Sequence, residues 1–426
     1  MSKYVIVGGS VAAISAVEAI REVDPAGTIA IIAEEPFPTY SRPLIGDYVS
    51  GEATWDKMMY RSDRFWSENK IETFIGSKAV RLDFTERFVE TDAGKRIEYE
   101  KLLLATGSEP LIPKIDGSNR KGVFVFITLA DAENLKAKCE EAEKAVVVGG
   151  GLIGVCAANA LTEVGAKVTV VELKERLLSL LFNSTASRII EEAARGSGVN
   201  IVTGHTVARI GGMAGDESKV GIVVLNSGET IPCDIVVLAA GVRPRVELVA
   251  RTGLKVNKGI VVDRFMHTNI PDVYACGDVA EAYDFVSGED RVLPQWPTAY
   301  IEGRTAGHNM AGISEEYSGG TVMSALKYFN VPAVAVGITN PTENNDFEVL
   351  TNHDSAKNVY KKVVLKDGVI KGFILVNDIC KAGVMYYLMQ MNVNVARFKS
   401  ELLSEDFGFI SLPEHLRKKI LKEVVQ

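Results

Sequence analysis

The same strand, glycine turn and helix pattern occurs twice in this sequence, and it constrains the fold more than any other feature. The first copy begins Val5-Ile6-Val7-Gly8-Gly9-Ser10 and the second begins Val146-Val147-Val148-Gly149-Gly150-Gly151. The two copies also close alike, with Leu103-Leu104-Ala105-Thr106-Gly107 and Val237-Leu238-Ala239-Ala240-Gly241. Because a strand, a crossover helix and a second strand generate a parallel sheet, the sequence predicts two α/β modules, each with a nucleotide-binding turn.

Hydrophobic periodicity and turn residues give the order of the elements. In the first copy we expect a helix over 12–23 and a strand over 28–33 that ends at Glu34. In the second we expect a helix over 152–164 and a strand over 168–171 that ends at Glu172. Extended segments are then expected over 260–262 and 273–275, followed by a helix that runs from Pro297 toward Gly312.

The region from 321 to 426 has a different pattern. Tyr360 to Leu365, Asp367-Gly368 and Gly372 to Val376 predict a β-hairpin, because Asp-Gly tolerates the positive φ angles of a tight turn. Two helices are expected to follow, over 383–391 and 414–425. The methionine-rich face of the first predicts core packing for Met385, Leu388, Met389 and Met391. No chemistry is apparent in this region.

The second glycine turn fits a dinucleotide-binding motif. The phosphates of a dinucleotide need the backbone N–H groups of a helix N-terminus, and side chains in the turn would keep them away. Gly149, Gly151 and Gly154 have GxGxxG spacing between a strand and a helix, and Glu172 ends the next strand. A carboxylate there accepts hydrogen bonds from a ribose 2′-hydroxyl and repels a 2′-phosphate, so NADH is favoured over NADPH. Arg176, four residues further on, could soften that preference.

The first glycine turn is a weaker match by itself. Gly8 is kept, whereas Ser10 and Ala13 stand where the other two glycines would be, and Glu34 is in position for a ribose hydroxyl. Two further segments strengthen the prediction. Ala105-Thr106-Gly107 follows a buried strand, and Gly277-Asp278 follows another, where a carboxylate can accept hydrogen bonds from a polyol such as a ribityl chain.

Composition narrows the class of protein further. At roughly 100 to 200 residues per domain, 426 residues imply more than one domain, and a net charge of −8 disfavours nucleic acid and anionic membrane surfaces as partners. The five cysteines are widely spaced and contain no CxxC or CxxxxC pair, which fits a reducing cytoplasm. The long uncharged run from 145 to 162 has glycines at its centre, so we do not expect it to span a membrane.

With these segments together, the chain resembles the pyridine nucleotide-disulfide oxidoreductase superfamily, flavoproteins with two dinucleotide-binding domains, across essentially its full length. The resemblance implies an α/β fold with two Rossmann-like domains, one for FAD over 1–115 and 245–320 and one for NAD over 116–244. It also implies a C-terminal α+β interface domain over 321–426. FAD would be the cofactor and NAD(H) the co-substrate, with the flavin itself as the reactive group and no catalytic side chain or metal.

The resemblance also implies two sets of ligands. Those for FAD are Gly8, Gly9, Ser10, Ala13, Glu34, Arg42, Ala105, Thr106, Gly107, Gly277, Asp278 and Trp296. Those for NAD are Gly149, Gly151, Ile153, Gly154, Glu172 and Gly241. Trp296 either lines the flavin ring or packs nearby, at the start of a helix whose N-terminus would point at the flavin and stabilise its anionic reduced form. The five histidines show no pattern typical of a metal site or a catalytic base.

The segment from Tyr40 to Tyr48 decides the branch of the superfamily. Disulfide reductases carry a CxxxxC pair there, and peroxidases, oxidases and coenzyme A disulfide reductases carry one cysteine in a related segment. This chain has Tyr40-Ser41-Arg42-Pro43 and no sulfur, which resembles rubredoxin reductases, ferredoxin reductases and the flavin subunits of larger oxidoreductases. The resemblance implies hydride transfer from NADH to flavin N5, then electron transfer to a carrier protein or to metal-containing subunits.

Two departures and two alternatives accompany this interpretation. Ferredoxin reductases usually place a lysine and a glutamate where this chain has Gly46 and Cys156. The joint absence of the two charges is physically coherent, because losing one charge alone would leave the other unpaired in a buried site.

A water- or peroxide-forming NADH oxidase is one alternative function, disfavoured by the missing cysteine. A flavin-binding assembly subunit is the other, suggested by the altered nicotinamide pocket. A homo-oligomer or a subunit of a hetero-complex would fit.

Overall fold

The computed structural model describes residues 2–342, 346–414 and 416–418. The helices are α1 Val11–Val23, α2 Ile45–Ser50, α3 Trp55–Met58, α4 Phe65–Glu68, α5 Leu129–Cys139, α6 Leu152–Glu163, α7 Ser184–Gly196, α8 Trp296–Ala311 and α9 Ala382–Gln390.

The strands of the first half of the chain are β1 Ser2–Val7, β2 Ile29–Ala33, β3 Ile71–Ile75, β4 Ala79–Asp83, β5 Phe88–Thr91, β6 Arg96–Leu104, β7 Ser108–Pro110, β8 Val123–Phe124, β9 Lys144–Val148, β10 Lys167–Glu172, β11 Asn200–Thr203 and β12 Val207–Met213. Those of the second half are β13 Asp216–Leu225, β14 Thr230–Pro232, β15 Ile235–Leu238, β16 Val242–Pro244, β17 Ile260–Val261, β18 Val273–Ala275, β19 Ala280–Asp284, β20 Glu289–Arg291, β21 Met323–Tyr328, β22 Val331–Gly337, β23 Glu348–Asp354, β24 Val359–Lys366 and β25 Val369–Val376.

The chain forms two compact units. The first contains residues 1–113, 124–141 and 239–321, and the second contains 114–123, 142–238 and 322–426. The division into FAD, NAD and interface domains stays a prediction at the boundaries given above.

The first unit is built on a mixed sheet of order β3-β2-β1-β6-β5-β4, with β18 also paired to β6. Strands β1, β2, β3, β6 and β18 run parallel, whereas β4, β5 and the start of β6 form an antiparallel meander. Helices α1 and α8 pack closely through glycines: a Cβ on Gly303 would lie 2.2 Å from the Ala12 carbonyl oxygen, and one on Gly307 would lie 2.4 Å from that of Ala16. This contact holds the helix of the first glycine turn beside α8.

The second unit contains a sheet of order β11-β10-β9-β15-β8, in which β9, β10, β11 and β15 are parallel. An antiparallel sheet of β12, β13 and β14 accompanies it. The C-terminal region adds the antiparallel order β21-β22-β25-β24-β23, with α9 packed on β25. Tyr360 on β24 accepts a 2.7 Å hydrogen bond from Asn183, at the start of α7.

Most predicted elements are confirmed to within one or two residues, including α1, α6, β10, β18 and α8. The Asp-Gly hairpin is also confirmed, because Asp367 and Gly368 have φ angles of 52° and 76° between β24 and β25. Met385, Leu388 and Met389 are buried as expected. Core packing for Met391 was wrong: it follows the end of α9 and is 38% exposed. The helix predicted over 414–425 falls largely outside the described residues.

Candidate dinucleotide-binding sites

The first glycine turn joins β1 to α1. Gly8 donates its N–H to the Ile32 carbonyl at 2.8 Å, and its φ of +139° is one that favours glycine. A Cβ at Gly8 would lie 2.1 Å from the Ala105 carbonyl oxygen, so the turn packs directly on the end of β6. Ser10 is the N-cap of α1, but its side chain makes no capping hydrogen bond. The first N–H groups of α1 are therefore available to an anion.

Ala13 stands where the third glycine of the motif would be and is fully buried in α1. Gly9 approaches the neighbouring strand, since a Cβ there would lie 2.7 Å from the Ala33 Cβ. Thr39 donates its hydroxyl to the Gly9 carbonyl at 2.6 Å. Small residues at these positions allow the turn to lie close to β2 and to the segment that follows it.

Glu34, directly after β2, lies in a charged cluster that the sequence did not predict. Its carboxylate pairs with Arg245 at 2.6 Å and with Lys78 at 3.0 Å. Arg245 donates its backbone N–H to the Gly107 carbonyl at 3.0 Å, and its own carbonyl accepts a 3.0 Å hydrogen bond from the Thr106 hydroxyl. The cluster therefore fixes the Ala105-Thr106-Gly107 turn beside Glu34. Burial acts to raise the pKa of the Glu34 carboxyl, but Lys78 and Arg245 together outweigh it and hold that pKa below its usual value.

Glu35 anchors the Tyr40 and Arg42 side chains of the Tyr-x-Arg-Pro segment, a contact that the sequence also did not predict. Its carboxylate accepts a 2.6 Å hydrogen bond from the Tyr40 hydroxyl and pairs with Arg42 at 2.5 Å. The Tyr40 hydroxyl in turn accepts the Leu129 N–H at 2.8 Å, and Arg42 donates to the Ile127 carbonyl at 3.0 Å. The segment is thus fixed to the start of α5.

Asp278 follows β18, in the 3-10 turn over 277–279. Ser108 donates its hydroxyl to Asp278 Oδ2 at 2.7 Å, and Gly277 has a φ of +75°. Burial raises the pKa of the Asp278 carboxyl, while the Ser108 hydrogen bond and the charge of Arg42 oppose that rise. Asp278, Ser108 and Arg42 therefore belong to one half-buried polar cluster in the first unit.

Trp296 opens α8 and contacts Tyr60 edge to face, with ring centroids 5.2 Å apart. It is partly buried against the hydrophobic core of the first unit. Of the two alternatives for Trp296, the structure describes a packing contact with Tyr60.

Gly46, which stands where ferredoxin reductases usually have a lysine, is buried in α2.

The second glycine turn joins β9 to α6 in the second unit. Gly149 donates its N–H to the Val171 carbonyl at 2.8 Å, which matches the Gly8 contact in the first unit. Gly151 is the N-cap of α6, and a Cβ built there would have no heavy atom within 4 Å. Gly154 is buried on the inner side of α6, and Ile153 is partly buried beside it.

Glu172 closes this turn from the end of β10. Its Oε2 accepts the Gly150 N–H at 2.5 Å and its Oε1 accepts the Lys174 N–H at 2.7 Å. A Cβ on Gly150 would lie 2.4 Å from Leu177 Cδ2 and 3.0 Å from Glu172 Oε2, so a larger residue here would displace side chains that pack on the turn. Because each carboxylate oxygen has two lone pairs, Glu172 can still accept hydrogen bonds from a ribose.

The remaining predicted positions are distributed over both units. Arg176 pairs with Glu175 and donates to the Ser179 carbonyl at 3.4 Å. Cys156 lies on α6 in the second unit. Gly241, predicted as an NAD contact, belongs to the first unit, whereas the other predicted NAD contacts belong to the second.

The residues present fit two bound dinucleotides. Both helices that follow the glycine turns begin without a side-chain cap, and the Gly151 position is open. Among the described residues, three buried guanidinium Nε atoms have no hydrogen-bond partner, those of Arg176, Arg245 and Arg417, and the first two lie at the predicted sites, after Glu172 and beside Glu34. Buried polar groups are normally satisfied, so the Arg176 and Arg245 atoms indicate ligands that complete the sites.

The chain contains two parallel-sheet modules, each with a glycine turn, a helix without a side-chain cap and an acid after the second strand. This arrangement is typical of flavoproteins with two dinucleotide-binding domains. Comparison with known proteins agrees with that class. The family model "Pyridine nucleotide-disulphide oxidoreductase" matches residues 2–303, and "Rubredoxin NAD+ reductase C-terminal domain" matches 323–393. The chain belongs to the pyridine nucleotide-disulphide oxidoreductase family.

Three relatives illustrate the range of similar proteins. The NADH-dependent phenylglyoxylate dehydrogenase subunit epsilon of Aromatoleum evansii is 33% identical, over 95% of both chains. The assimilatory nitrate reductase electron transfer subunit of Bacillus subtilis is 30% identical over 88% of this chain, which spans only 48% of that longer protein. The solved ferredoxin reductase for the CYP199A2 system of Rhodopseudomonas palustris is 27% identical, with a TM-score of 0.81 over 88% of this chain and 91% of that one.

The protein is therefore an NADH-dependent oxidoreductase that uses FAD and carries out electron transfer. The predicted fold and cofactors are confirmed. Within the described ranges, no cluster of His, Cys, Asp and Glu side chains could hold a metal ion. Among those same residues, no helix combines the length and apolar character needed to cross a membrane.

Proposed function

We propose that this protein passes electrons from NADH, by way of FAD, to a protein acceptor: a rubredoxin- or ferredoxin-type carrier, or the metal-containing subunits of a larger complex. The observation that carries the proposal is the segment from Tyr40 to Tyr48. It contains no cysteine, and Glu35 fixes its Tyr40 and Arg42 side chains. Without a thiol in this segment, electrons have no disulfide to pass through and go directly to an external acceptor.

In this proposal the first unit holds FAD. The turn Gly8-Gly9-Ser10 and the start of α1, with Ala13 behind it, would receive the pyrophosphate, and Glu34 with Ala105-Thr106-Gly107 would receive the adenosine half. Arg245 joins this set because its unpartnered Nε lies in the same cluster. Arg42, Gly277 and Asp278 would meet the pyrophosphate and ribityl chain, and Trp296 would lie near the flavin.

The second unit holds NADH in this proposal. Gly149, Gly151, Ile153 and Gly154 would receive its pyrophosphate, and Glu172 its adenosine ribose. Gly241 stays a prediction from the resemblance alone, because it belongs to the first unit. A negative charge at Glu172 favours NADH over NADPH. Arg176 counters it only in part, because its guanidinium already pairs with Glu175.

FAD, when bound, converts a two-electron hydride donor into a source of single electrons. The protein's own residues provide position and charge. The start of α8, which has no side-chain cap, would offer a positive dipole end to the negative charge of the reduced flavin. Arg42 adds a fixed positive charge that Glu35 orients, and Asp278 provides a hydrogen-bond acceptor that Ser108 orients.

The names of the relatives support an acceptor inside an assembly. The Aromatoleum evansii relative is a subunit of a dehydrogenase, and the Bacillus subtilis relative is an electron transfer subunit. We propose by analogy that this chain works as a homo-oligomer or as one subunit of a hetero-complex, in the cytoplasm. The domain boundaries 1–115 with 245–320, 116–244 and 321–426 belong to the same proposal.

A comparison of acceptors tests the proposal. NADH oxidation by the purified holoenzyme is followed with dissolved oxygen alone, then with a rubredoxin, and then with a ferredoxin. We expect a carrier to accelerate NADH oxidation at least tenfold over oxygen, and N-ethylmaleimide to leave the rate unchanged. Fast oxygen consumption without a carrier would instead support an NADH oxidase.

A further inference from the structure

Glu302 is a buried acid that the site described above does not include. It lies on α8 and is only 2% exposed. Its Oε2 accepts the backbone N–H of Gly277 at 2.7 Å, and its Oε1 accepts a 3.4 Å hydrogen bond from the Tyr317 hydroxyl. No cation pairs with this carboxylate among the ion pairs of the described residues. A buried acid without a countercharge is costly, so its presence calls for a role.

The Gly277 N–H belongs to the peptide turn that presents Asp278. Gly277 is buried with a positive φ, and a Cβ there would lie 3.2 Å from the Ala12 Cβ, so the turn is confined between α1 and α8. Glu302 fixes the turn from the α8 side, and Ser108 fixes the Asp278 carboxylate from β7. The two acids are thus linked through a single residue of backbone.

We propose that Glu302 is a positioning residue for the flavin: it fixes the Gly277–Asp278 turn against α8 and places a titratable group directly behind Asp278. The inference rests on the proposed assignment of Asp278 as a flavin ligand. It adds a residue whose hydrogen bonds go to Gly277 and Tyr317 and which acts through Gly277.

The surroundings of Glu302 make its charge sensitive to pH. The titratable groups that face it are Asp278 in the turn, the Cys276 thiol at the end of β18, and the Tyr317 hydroxyl in the segment after α8. On α1, the neighbouring positions are Ala12 and Ser15, while the charged Glu18 and Glu22 pair with other partners. Burial, assisted by the charge of Asp278, raises the pKa of Glu302 to about 8.

The consequence is a change in the field at the flavin near neutral to mildly basic pH. Below about pH 8 the Glu302 carboxyl is neutral. Above that pH, the negative charge of Glu302 lies behind the turn and disfavours the electron-rich, reduced state of a nearby flavin. As the pH rises through about 8, the midpoint potential of the bound flavin should therefore fall more steeply than it would without the ionisation of Glu302.

The test compares the wild-type holoenzyme with Glu302→Gln, which keeps an acceptor for the Gly277 N–H and removes the ionisation. Visible flavin spectra and midpoint potentials are recorded across the range around pH 8, without NADH or a carrier. Glu316→Gln is the matched control, because Glu316 is an exposed acid next to Tyr317 that pairs with Arg264. Tyr317→Phe removes a hydrogen bond that favours the ionised form of Glu302.

We expect an inflection near pH 8 in the wild type and in Glu316→Gln, its loss in Glu302→Gln, and its displacement to higher pH in Tyr317→Phe. Identical pH curves for the wild type and Glu302→Gln would overturn the inference. Because these readouts need neither NADH nor an acceptor, that result would leave the proposed electron-transfer function standing. A failure of carrier reduction would leave the Glu302 result standing in the same way.

Discussion

The Ser108 hydroxyl donates a 2.7 Å hydrogen bond to Asp278 Oδ2, which joins residues that follow two neighbouring strands of one sheet, β6 and β18. This bond fixes the carboxylate while leaving its other oxygen for a ligand. A parallel sheet brings the carboxyl ends of its strands to one edge, which is where nucleotide ligands bind in open α/β sheets.

Asp278→Asn should weaken FAD retention, because the amide removes a charged acceptor and places a second donor against Ser108. A hydrogen bond to a charged group contributes about 1.5–3 kcal/mol, so we expect FAD to bind roughly 10- to 100-fold more weakly. The ratio of flavin to protein absorbance after gel filtration measures this. Ser108→Ala should have a smaller effect, and equal retention in the wild type and Asp278→Asn would remove Asp278 from the FAD site.

Glu172→Gln should reduce the preference for NADH over NADPH. Glutamine keeps an acceptor oxygen in this position and removes the charge that repels a 2′-phosphate. We expect the ratio of kcat/KM for NADH to that for NADPH to fall by about tenfold or more, which is about 1.4 kcal/mol. Glu172→Ala should weaken NADH use further, because Gly150 and Lys174 would also lose their hydrogen-bond acceptor. An unchanged ratio in both variants would refute the assignment.

Two arginines on adjacent parts of the chain provide a matched pair. Arg245 pairs with Glu34 and has a buried, unpartnered Nε, whereas Arg243 is 61% exposed and pairs with Glu109. Arg245→Gln should lower FAD affinity roughly tenfold, since a charge-assisted contact is lost. Arg243→Gln should leave FAD affinity unchanged. Flavin fluorescence during titration of the apoprotein distinguishes the two, and equal losses would show that the effect is not specific to the Glu34 cluster.

Gly303→Ala should destabilise the first unit and promote release of FAD. The added methyl group would lie 2.2 Å from the Ala12 carbonyl oxygen and from Ser15 Oγ, so α1 and α8 would have to separate. Overpacking of this kind costs about 1–3 kcal/mol. Gly196→Ala on α7 is the control, because its methyl group meets no atom within 4 Å. In thermal unfolding, we expect a lower melting temperature for Gly303→Ala and an unchanged or slightly higher one for Gly196→Ala.

The pH dependence of stability provides an independent test of Glu302. Its pKa is raised from 4.5 to about 8 in the folded protein, so its stabilising contribution is complete below the unfolded value and is lost as pH rises through that interval. Each unit of pKa difference corresponds to about 1.4 kcal/mol. Glu302→Gln should therefore gain stability relative to the wild type from about pH 4.5, levelling off above pH 8. Parallel urea-unfolding midpoints across this range would contradict that expectation.

The sequence predicted correctly those elements that depend on residues close together in the chain. The glycine turns, α6, β18 and the Asp367-Gly368 hairpin depend on backbone conformation and short-range periodicity. The sequence also indicated that Asp278 lies just past a strand, and it follows β18 in the 3-10 turn over 277–279.

What the sequence could not predict depends on partners distant along the chain. Glu35 was overlooked beside Glu34, although only the fold shows that Glu35 anchors Arg42 and that Glu34 pairs with Arg245, 211 positions away. Glu302 gave no signal, because its burial arises only when α8 packs on the Gly277 turn. Met391 was misjudged because periodicity continued one residue beyond the end of α9.

The most direct test of the central claim is an anaerobic visible titration of the purified holoenzyme with NADH, followed by addition of an oxidised rubredoxin or ferredoxin. We predict that NADH bleaches the flavin bands, that NADPH does so less effectively, and that the carrier restores the bands while becoming reduced itself. Bands that bleach but recover only when air is admitted would contradict transfer to a carrier protein. Bands that NADH does not bleach would contradict the account of this chain as an NADH-dependent electron-transfer enzyme.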